Sequence, residues 1–346
     1  METGRIDVSD LSGPFDLQST LESGQTYLWE RTDGEEYSDA VAHGGDAWYE
    51  TVLPPTPDLT DRPTVVRARQ TGGVDDGTVE WEAGGIPLVA DGAVPDGAAD
   101  ARAPTEPVDG ESILTHLLRL DDDLDAIYDA TDHLPLLDRA YDRYRGMRLV
   151  RDPPFPCLIS FICSAQMRVS RIFGMQNALR EHYGTPVAVG ERTLHAYPTP
   201  EALAARTEDE LRDLSLGYRA PYVQRTAEMV ASGEARPEDA IGLPYEEARD
   251  YMTEFVGVGD KVADCVLLFS LGYLQAIPLD TWIQTAIGDY FPDCEGGNYA
   301  ETSRAIRERL GADLPADGDP FGKGGVDAYA GYAQTYVFFH LRTDGE

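Results

Sequence analysis

The hydrophobic rhythm of the chain changes after residue 83. Before it, short runs rich in aromatic and β-branched residues alternate with Gly, Asp and Pro turns: Tyr27-Leu28-Trp29, Asp46 to Val52, Thr64 to Ala68 and Thr78 to Glu82. Such runs predict strands, because these side chains pack well on a pleated, half-buried surface. From Glu111 onward apolar positions recur three and four apart, the helical period. This pattern predicts an apolar helix from Pro156 to Phe173, with Ser112 as a cap of an earlier one. Thr199-Pro200 opens another helix running through Leu211. Further helices are expected at Tyr245 to Thr253, Lys261 to Leu271 and Val326 to Leu341. The predicted fold class is α+β: an N-terminal antiparallel β-rich domain over 1–83, then an all-α domain over 111–346. Between them, 84–110 is dominated by Gly, Ala, Pro and Asp and reads as an acidic linker or insertion.

Composition changes the picture in one respect. The 62 acidic residues outnumber 28 Lys and Arg, for a formal charge of −34, and they are spread along the chain. In ordinary salt that balance argues against a nucleic-acid partner. Only two lysines accompany the arginines, Lys261 and Lys323. An acidic, lysine-poor surface is expected of a halophilic protein working in a high-salt cytoplasm. There the Debye length falls to about 3 Å at 1 M, so the surface repels DNA only weakly. The four cysteines form no C-x-x-C pair, which argues against a zinc site, an iron–sulfur cluster and a disulfide framework. With no N-terminal signal pattern and no apolar run of 18 residues, a cytoplasmic protein without a membrane partner is expected.

Candidate chemistry gathers around the retained Lys261. It follows Val256-Gly257-Val258-Gly259-Asp260, a Gly-x-Gly turn between two predicted helices. Glycines at such a turn can bring the backbone close to a ligand, and the next helix opens with N–H groups free to meet a phosphate. At the mouth of that helix, a lysine kept partly neutral is a nucleophile suited to Schiff-base chemistry. Nineteen residues later Asp280 stands before Thr281 to Ile287, an expected N-cap. A carboxylate held there can stabilise a cationic sugar ring and accept protons.

These residues bring a family into view. Phe255 to Ala286 resembles the signature of the helix-hairpin-helix DNA glycosylases, and Lys261 to Cys265 with Gln275 to Asp280 resembles their 8-oxoguanine DNA glycosylase/lyase branch. Ser23 to Trp29, Leu158 to Ser164, Leu216 to Ala220 and Gly331 to Phe338 resemble further segments of that branch, so the likeness covers nearly the whole chain outside 84–110. The resemblance implies that Lys261 is the nucleophile and Asp280 its carboxylate partner. Gly24 would read N7–H of the oxidised base, Gln334 would hydrogen-bond its edge, and Phe338 and Cys265 would sandwich it. Tyr218, Arg219, Arg171 and Gln166 would fill the gap in the stack and meet the opposite base. Gly257, Val258 and Gly259 would hold the DNA backbone, with a monovalent or divalent cation on the hairpin carbonyls bridging to a phosphate and no organic cofactor. The implied partner is damaged double-stranded DNA, bound by a monomer in the cytoplasm at the nucleoid. Two positions depart from the family: Gln166 stands where it has an asparagine, and Trp282 where it has a histidine.

Three other readings compete. A broader glycosylase for ring-opened or alkylated purines shares the same machinery. A catalytically inactive DNA-binding module would have little reason to keep both Lys261 and Asp280. An acidic protein-interaction module rests on charge alone. The first reading carries a salt prediction. Each neutralised phosphate contributes roughly −0.9 to the slope of log affinity against log salt. An acidic enzyme leaning on backbone N–H groups and wedging should show a weak slope between moderate and molar KCl in a fluorescence-anisotropy titration. A steep fall in DNA affinity over that range would refute it.

Overall fold

The computed structural model describes residues 1–34, 47–88, 109–131, 134–165, 167–312 and 327–344. Five strands form an antiparallel sheet: β1 (Glu2–Asp7), β2 (Glu30–Arg31), β3 (Tyr49–Leu53), β4 (Thr64–Thr71) and β5 (Thr78–Gly84), in the order β1-β5-β4-β3-β2. Alternation decides its two faces. Val79, Trp81 and Ala83 of β5 point into the core, and Glu80 and Glu82 point out. The register sets Arg67 opposite Glu82 and Arg69 opposite Glu80, and both pairs form ion pairs across the outer face. A short helix, α1 (Leu17–Glu22), is capped by Asp16, whose carboxylate accepts from Ser19 N at 3.0 Å.

Two expectations at this end are corrected. Tyr27-Leu28-Trp29 is not a strand: its aromatic side chains are buried, but the backbone runs as a loop leading into β2. Strand β1 was not expected, because Glu2 to Asp7 is mostly polar and lies on the sheet edge. Within the 84–110 segment, the structure describes 84–88, which end β5 and form β6 (Ile86–Pro87), and 109–110, which begin a helix; 89–108 lie outside the described residues.

The helical part contains α2 (Gly110–Leu118), α3 (Leu124–Ala130), α4 (Pro135–Arg143), α5 (Pro154–Ser164) and α6 (Val169–Tyr183). After a β-hairpin of β7 (Pro186–Val189) and β8 (Arg192–His195) come α7 (Pro200–Ala204), α8 (Glu208–Asp213), α9 (Ala220–Ser232), α10 (Tyr245–Met252), α11 (Asp260–Phe269), α12 (Thr281–Tyr290), α13 (Tyr299–Leu310) and α14 (Ala330–Asp344). The helix expected over 156–173 is two helices, α5 and α6, separated at 165–168. The one expected through Leu211 is also two, and Thr207 begins the second with a capping box to Glu210. The cap of α2 is Asp109, which accepts from Ser112 N, so Ser112 stands inside the first turn. Thr199 caps α7 as expected, accepting from Ala202 N. The β7–β8 hairpin was not foreseen; β6 joins it, and Val187 and Ala196 pack on Val52 and Val65.

One apolar core links the inner sheet face to α2, α5, α11 and α14. Polar clamps fix its register. Arg148, fully buried, donates to the carbonyls of Arg119 (3.0 Å), Asp122 (2.6 Å) and Ser12 (3.0 Å). Gln25 donates to the Arg148 carbonyl at 2.9 Å and accepts from Val150 N at 3.0 Å. The Tyr332 hydroxyl on α14 donates to Asp122. Asp152 lies where α5 meets the end of α11: its N–H donates to Phe269 O, and its carbonyl accepts from Ser270 Oγ.

Burial pushes the Asp152 carboxyl up to about 7, against a hydrogen bond from Thr26. Between the ordinary carboxyl range and that value the folded protein holds a proton that the unfolded chain has released. Stability from this group is therefore full at low pH and is lost as pH rises toward about 7. Asp152→Asn should unfold at a higher denaturant midpoint than wild type at pH 8, by at least about 1 kcal/mol, and lose that advantage near pH 4. Chemical denaturation at the two pH values checks it.

Candidate active site

The Gly-x-Gly turn lies between α10 and α11, and its geometry follows from its glycines. Gly257 has φ +88°, a left-handed conformation that L side chains resist. It also has no room for a side chain: a Cβ built there would stand 2.8 Å from Cβ of Tyr222. Thr226 Oγ1 donates to the Val256 carbonyl at 3.0 Å, so α9 braces the turn from behind. Val258 is buried as the plug of the hairpin, whereas Val256, Gly257 and Gly259 face solvent. Gly259 is the N-cap of α11 and has no side chain to occupy the first-turn N–H groups.

Lys261 follows on the first turn of α11, half-buried. Its Nζ donates to Ser164 Oγ at 3.4 Å, at the end of α5, and stands 5.6 Å from the centre of the Phe161 ring. Asp280 caps α12, accepting from Ile283 N at 2.8 Å. Burial raises its carboxyl above the usual range; the Ile283 N–H, the Lys261 charge, the Trp282 N–H and Arg342 all pull the other way. A carboxylate made more basic in this way suits the role of proton acceptor. One turn after Lys261, burial pushes the Cys265 thiol up to about 12 despite the adjacent lysine, so it is a neutral, apolar wall.

Behind these two groups lies a buried polar network. Asp264, fully buried, accepts from Tyr245 OH at 2.6 Å and Tyr299 OH at 2.7 Å. Burial pushes its carboxyl up to about 7, opposed by those two donors, Arg249 and Arg307. Tyr299 OH also accepts from Leu279 N at 3.1 Å, the residue before Asp280. The helix carrying Lys261 and the loop carrying Asp280 are thereby tied to one carboxyl group.

The second half of α14 faces the loop after α1. Gly24 has φ +95°, and a Cβ built there would lie 3.5 Å from Phe338 and 2.8 Å from Arg342 Nη1. Gln334, 3 % exposed, has a buried Oε1 with no hydrogen-bond partner among the described residues. A buried acceptor left in this state is costly unless a ligand satisfies it.

Of the remaining expected site residues, Arg171 lies on α6, and Tyr218 and Arg219 lie in the tight turn Gly217–Arg219 just before α9. Tyr218 is 55 % exposed and meets Tyr222 edge-on, with ring centres 6.2 Å apart. Arg219 is turned inward: its guanidinium lies 4.2 Å from the Tyr218 ring centre and donates to the Ala165 carbonyl, closing the end of α5. Arg171 is exposed on α6, and Gln166 lies outside the described residues. Sequence reasoning missed Ser164 as a partner of Lys261, the Asp264 network and Arg342. Arg342 had a legible signal, since Gln334, Phe338 and Arg342 are spaced four apart on one helix. Among the described residues no group of three or more His, Cys, Asp or Glu is placed to hold a metal ion, and no helix is long and apolar enough to cross a membrane.

Comparison with known proteins gives the family. Residues 6–158 match the 8-oxoguanine DNA glycosylase N-terminal domain, and residues 159–311 match the HhH-GPD superfamily of base excision DNA repair proteins. A probable N-glycosylase/DNA lyase of Methanothermobacter thermautotrophicus is 30 % identical over 229 residues, spanning 60 % of this chain and 68 % of that protein. The N-glycosylase/DNA lyase OGG1 of Arabidopsis thaliana is 28 % identical over 334 residues, 93 % of this chain and 76 % of its own length. The fold matches that of Clostridium acetobutylicum 8-oxoguanine glycosylase/lyase in complex with double-stranded DNA containing cytosine opposite 8-oxoguanine, with a TM-score of 0.70 at 22 % identity over 100 % of this chain and 99 % of that one. The chain belongs to the HhH-GPD superfamily of base excision DNA repair proteins, in the branch that carries the 8-oxoguanine DNA glycosylase N-terminal domain.

Proposed function

We propose that this protein is a bifunctional N-glycosylase/DNA lyase that removes 8-oxoguanine, and ring-opened purines, from duplex DNA. The observation that carries this reading is Lys261 at the mouth of α11, hydrogen-bonded to Ser164, with its charge felt by a half-buried Asp280 whose carboxyl is raised above the usual range. The hairpin backbone at Gly257, Val258 and Gly259 holds the lesion strand through its N–H groups. Tyr218 fills the space left by the flipped nucleotide, and Arg171, Arg219 and Gln166 face the opposite base. The base enters between Phe338 and the neutral Cys265 thiol, where Gln334 Oε1 gains the donor it lacks and Gly24 meets the imidazole-derived edge.

The chemistry follows from the two central groups. The free amine of Lys261 attacks C1′ as the C1′–N9 bond breaks, and the base leaves with the bonding pair and takes up a proton. Asp280 stabilises the cationic character at C1′ and accepts the proton that the new ammonium sheds. Opening of the sugar ring gives a Schiff base at C1′. Loss of a C2′ proton then expels the 3′ phosphate by β-elimination. A monovalent or divalent cation on the hairpin would bridge to a phosphate; the Phe255 and Val256 carbonyls each already accept one hydrogen bond and keep a second lone pair for it. Residues 1–83 and 111–346 form the two sides of the site, joined by 84–110, and the protein acts as a monomer on cytoplasmic DNA.

Borohydride trapping on a duplex with 8-oxoguanine opposite cytosine, in molar KCl, tests the reading. Wild type should give a covalent adduct and Lys261→Gln none, with base release slowed by at least about 1000-fold. Base release by wild type without any adduct would refute the lysine's role, and neither would refute the lesion. Gly257→Ala should weaken duplex binding by about tenfold, because a strained and crowded hairpin no longer presents its N–H groups in register. An anisotropy titration reads this directly, and unchanged affinity would remove the hairpin from the DNA interface.

A further inference from the structure

Arg342 has no counterpart in the roles assigned so far, yet it touches three parts of the site. Its Nη2 donates to the Glu22 carbonyl at 2.9 Å, which anchors the guanidinium against the loop that carries Gly24. Its Nη1 lies 2.8 Å from where a Gly24 Cβ would stand, so the group occupies the space that the glycine leaves open. Its central carbon is 5.4 Å from the Phe338 ring centre and 5.0 Å from that of Phe339, so aromatic faces flank the charge. Its charge also reaches Asp280. Four-residue spacing puts Gln334, Phe338 and Arg342 along one side of α14, the side that meets the Gly24 loop.

The chemistry of the lesion says what a guanidinium is for at this point. Guanine presents an N7 acceptor beside an apolar C8–H. 8-Oxoguanine presents an N7–H donor beside a C8 carbonyl acceptor. A site complementary to that edge offers one acceptor and one donor side by side. The Arg342 guanidinium lies against the glycine whose carbonyl is assigned to N7–H. We propose that Arg342 is a specificity-determining residue of the base pocket: it donates to the C8 oxygen of 8-oxoguanine while the Gly24 carbonyl accepts N7–H. This rests on the proposed function above. A formamidopyrimidine offers the same pairing through its formyl oxygen. A purine alkylated at N7 or N3 is cationic and is repelled by the same group. The planar fork of arginine lets one nitrogen stay on Glu22 while another meets the base, which a single ammonium cannot do.

The test compares two rates on the same preparation in molar KCl: release of 8-oxoguanine from a duplex, and cleavage of a preformed abasic site, which has no base to read. In Arg342→Met the ratio of base release to abasic-site cleavage should fall about 10- to 100-fold, the range for losing a hydrogen bond from a charged donor. Arg342→Lys should recover part of that ratio, and Arg342→Met should shift preference toward 7-methylguanine. An unchanged ratio, whether both rates fall together or neither falls, overturns the proposal, because a merely structural or phosphate-binding arginine acts on both. Wild type that cleaves abasic sites but releases no 8-oxoguanine overturns the underlying lesion assignment instead, and this inference with it.

Discussion

The fold is organised around one buried cation. Arg148 is removed from water at the centre of the molecule, where an unpaired guanidinium would cost several kcal/mol. It is held by backbone carbonyls of Ser12, near the N-terminus, and of Arg119 and Asp122, in the turn between α2 and α3. Those stretches must meet for the charge to be satisfied. From the same segment, Arg148 N donates to Thr20 Oγ1 and the Arg148 carbonyl accepts from Gln25, which fixes the loop bearing Gly24. On the other side, Asp122 accepts from Tyr332 and the Met147 carbonyl from Tyr336, which fixes α14. Both walls of the proposed base pocket are therefore referenced to one guanidinium. Loss of the Arg148 side chain leaves three carbonyls, and loss of Gln25 the Arg148 carbonyl, without these donors in a dry interior.

The proposed reacting groups, Lys261 and Asp280, are held from behind by a second buried group, the Asp264 carboxyl. Asp264 is on the same helix as Lys261, and through Tyr299 it holds the backbone just before Asp280. Arg307 and Arg249 stack on Tyr245, and both pair with Glu246. In a chain of formal charge −34, much of the scarce positive charge is thus committed inside, bracing α10, α11 and α13. What the hairpin presents outward is backbone. Peptide N–H groups carry no counterion cloud and lose little when salt screens side-chain charge, which fits an acidic protein whose partner is a polyanion.

Much of this was legible because local chemistry dictated it. The Gly-x-Gly turn needed a residue free to take positive φ, and Gly257 takes it; Asp280 before Thr281 read as a cap and is one. The runs Thr64 to Ala68 and Thr78 to Glu82 carried strand composition and became β4 and β5, with clean alternation in β5 because one face meets the core. Misreadings came where tertiary contacts override local preference. Tyr27 to Trp29 has strand composition, yet the loop is pinned by Gln25 and its aromatics are drawn into the core. The apolar run beyond Pro156 looks continuous, but Arg219, distant in sequence, donates to the Ala165 carbonyl where α5 stops. Edge strand β1 has only Ile6 as an apolar side chain, too little for a pattern to find. Ser164 carried no signal as a partner of Lys261, because the two are distant in sequence and meet only in the fold; Arg342 kept helical spacing with Gln334 and Phe338, but its approach to Gly24 is likewise made only by the fold.

The contact between Gly257 and Tyr222 has a mechanical consequence. Tyr222 presses on the hairpin with one side and meets exposed Tyr218 with its ring. On the proposed reading, one of these grips the damaged strand and the other probes the stack beside it. Two rigid neighbours sharing one side chain cannot move independently, so a probe that fails to enter loosens the grip, and a grip that closes drives the probe. Travel along undamaged DNA would then proceed by release of both at once, and dwell time at each base pair would report a single barrier rather than two successive ones.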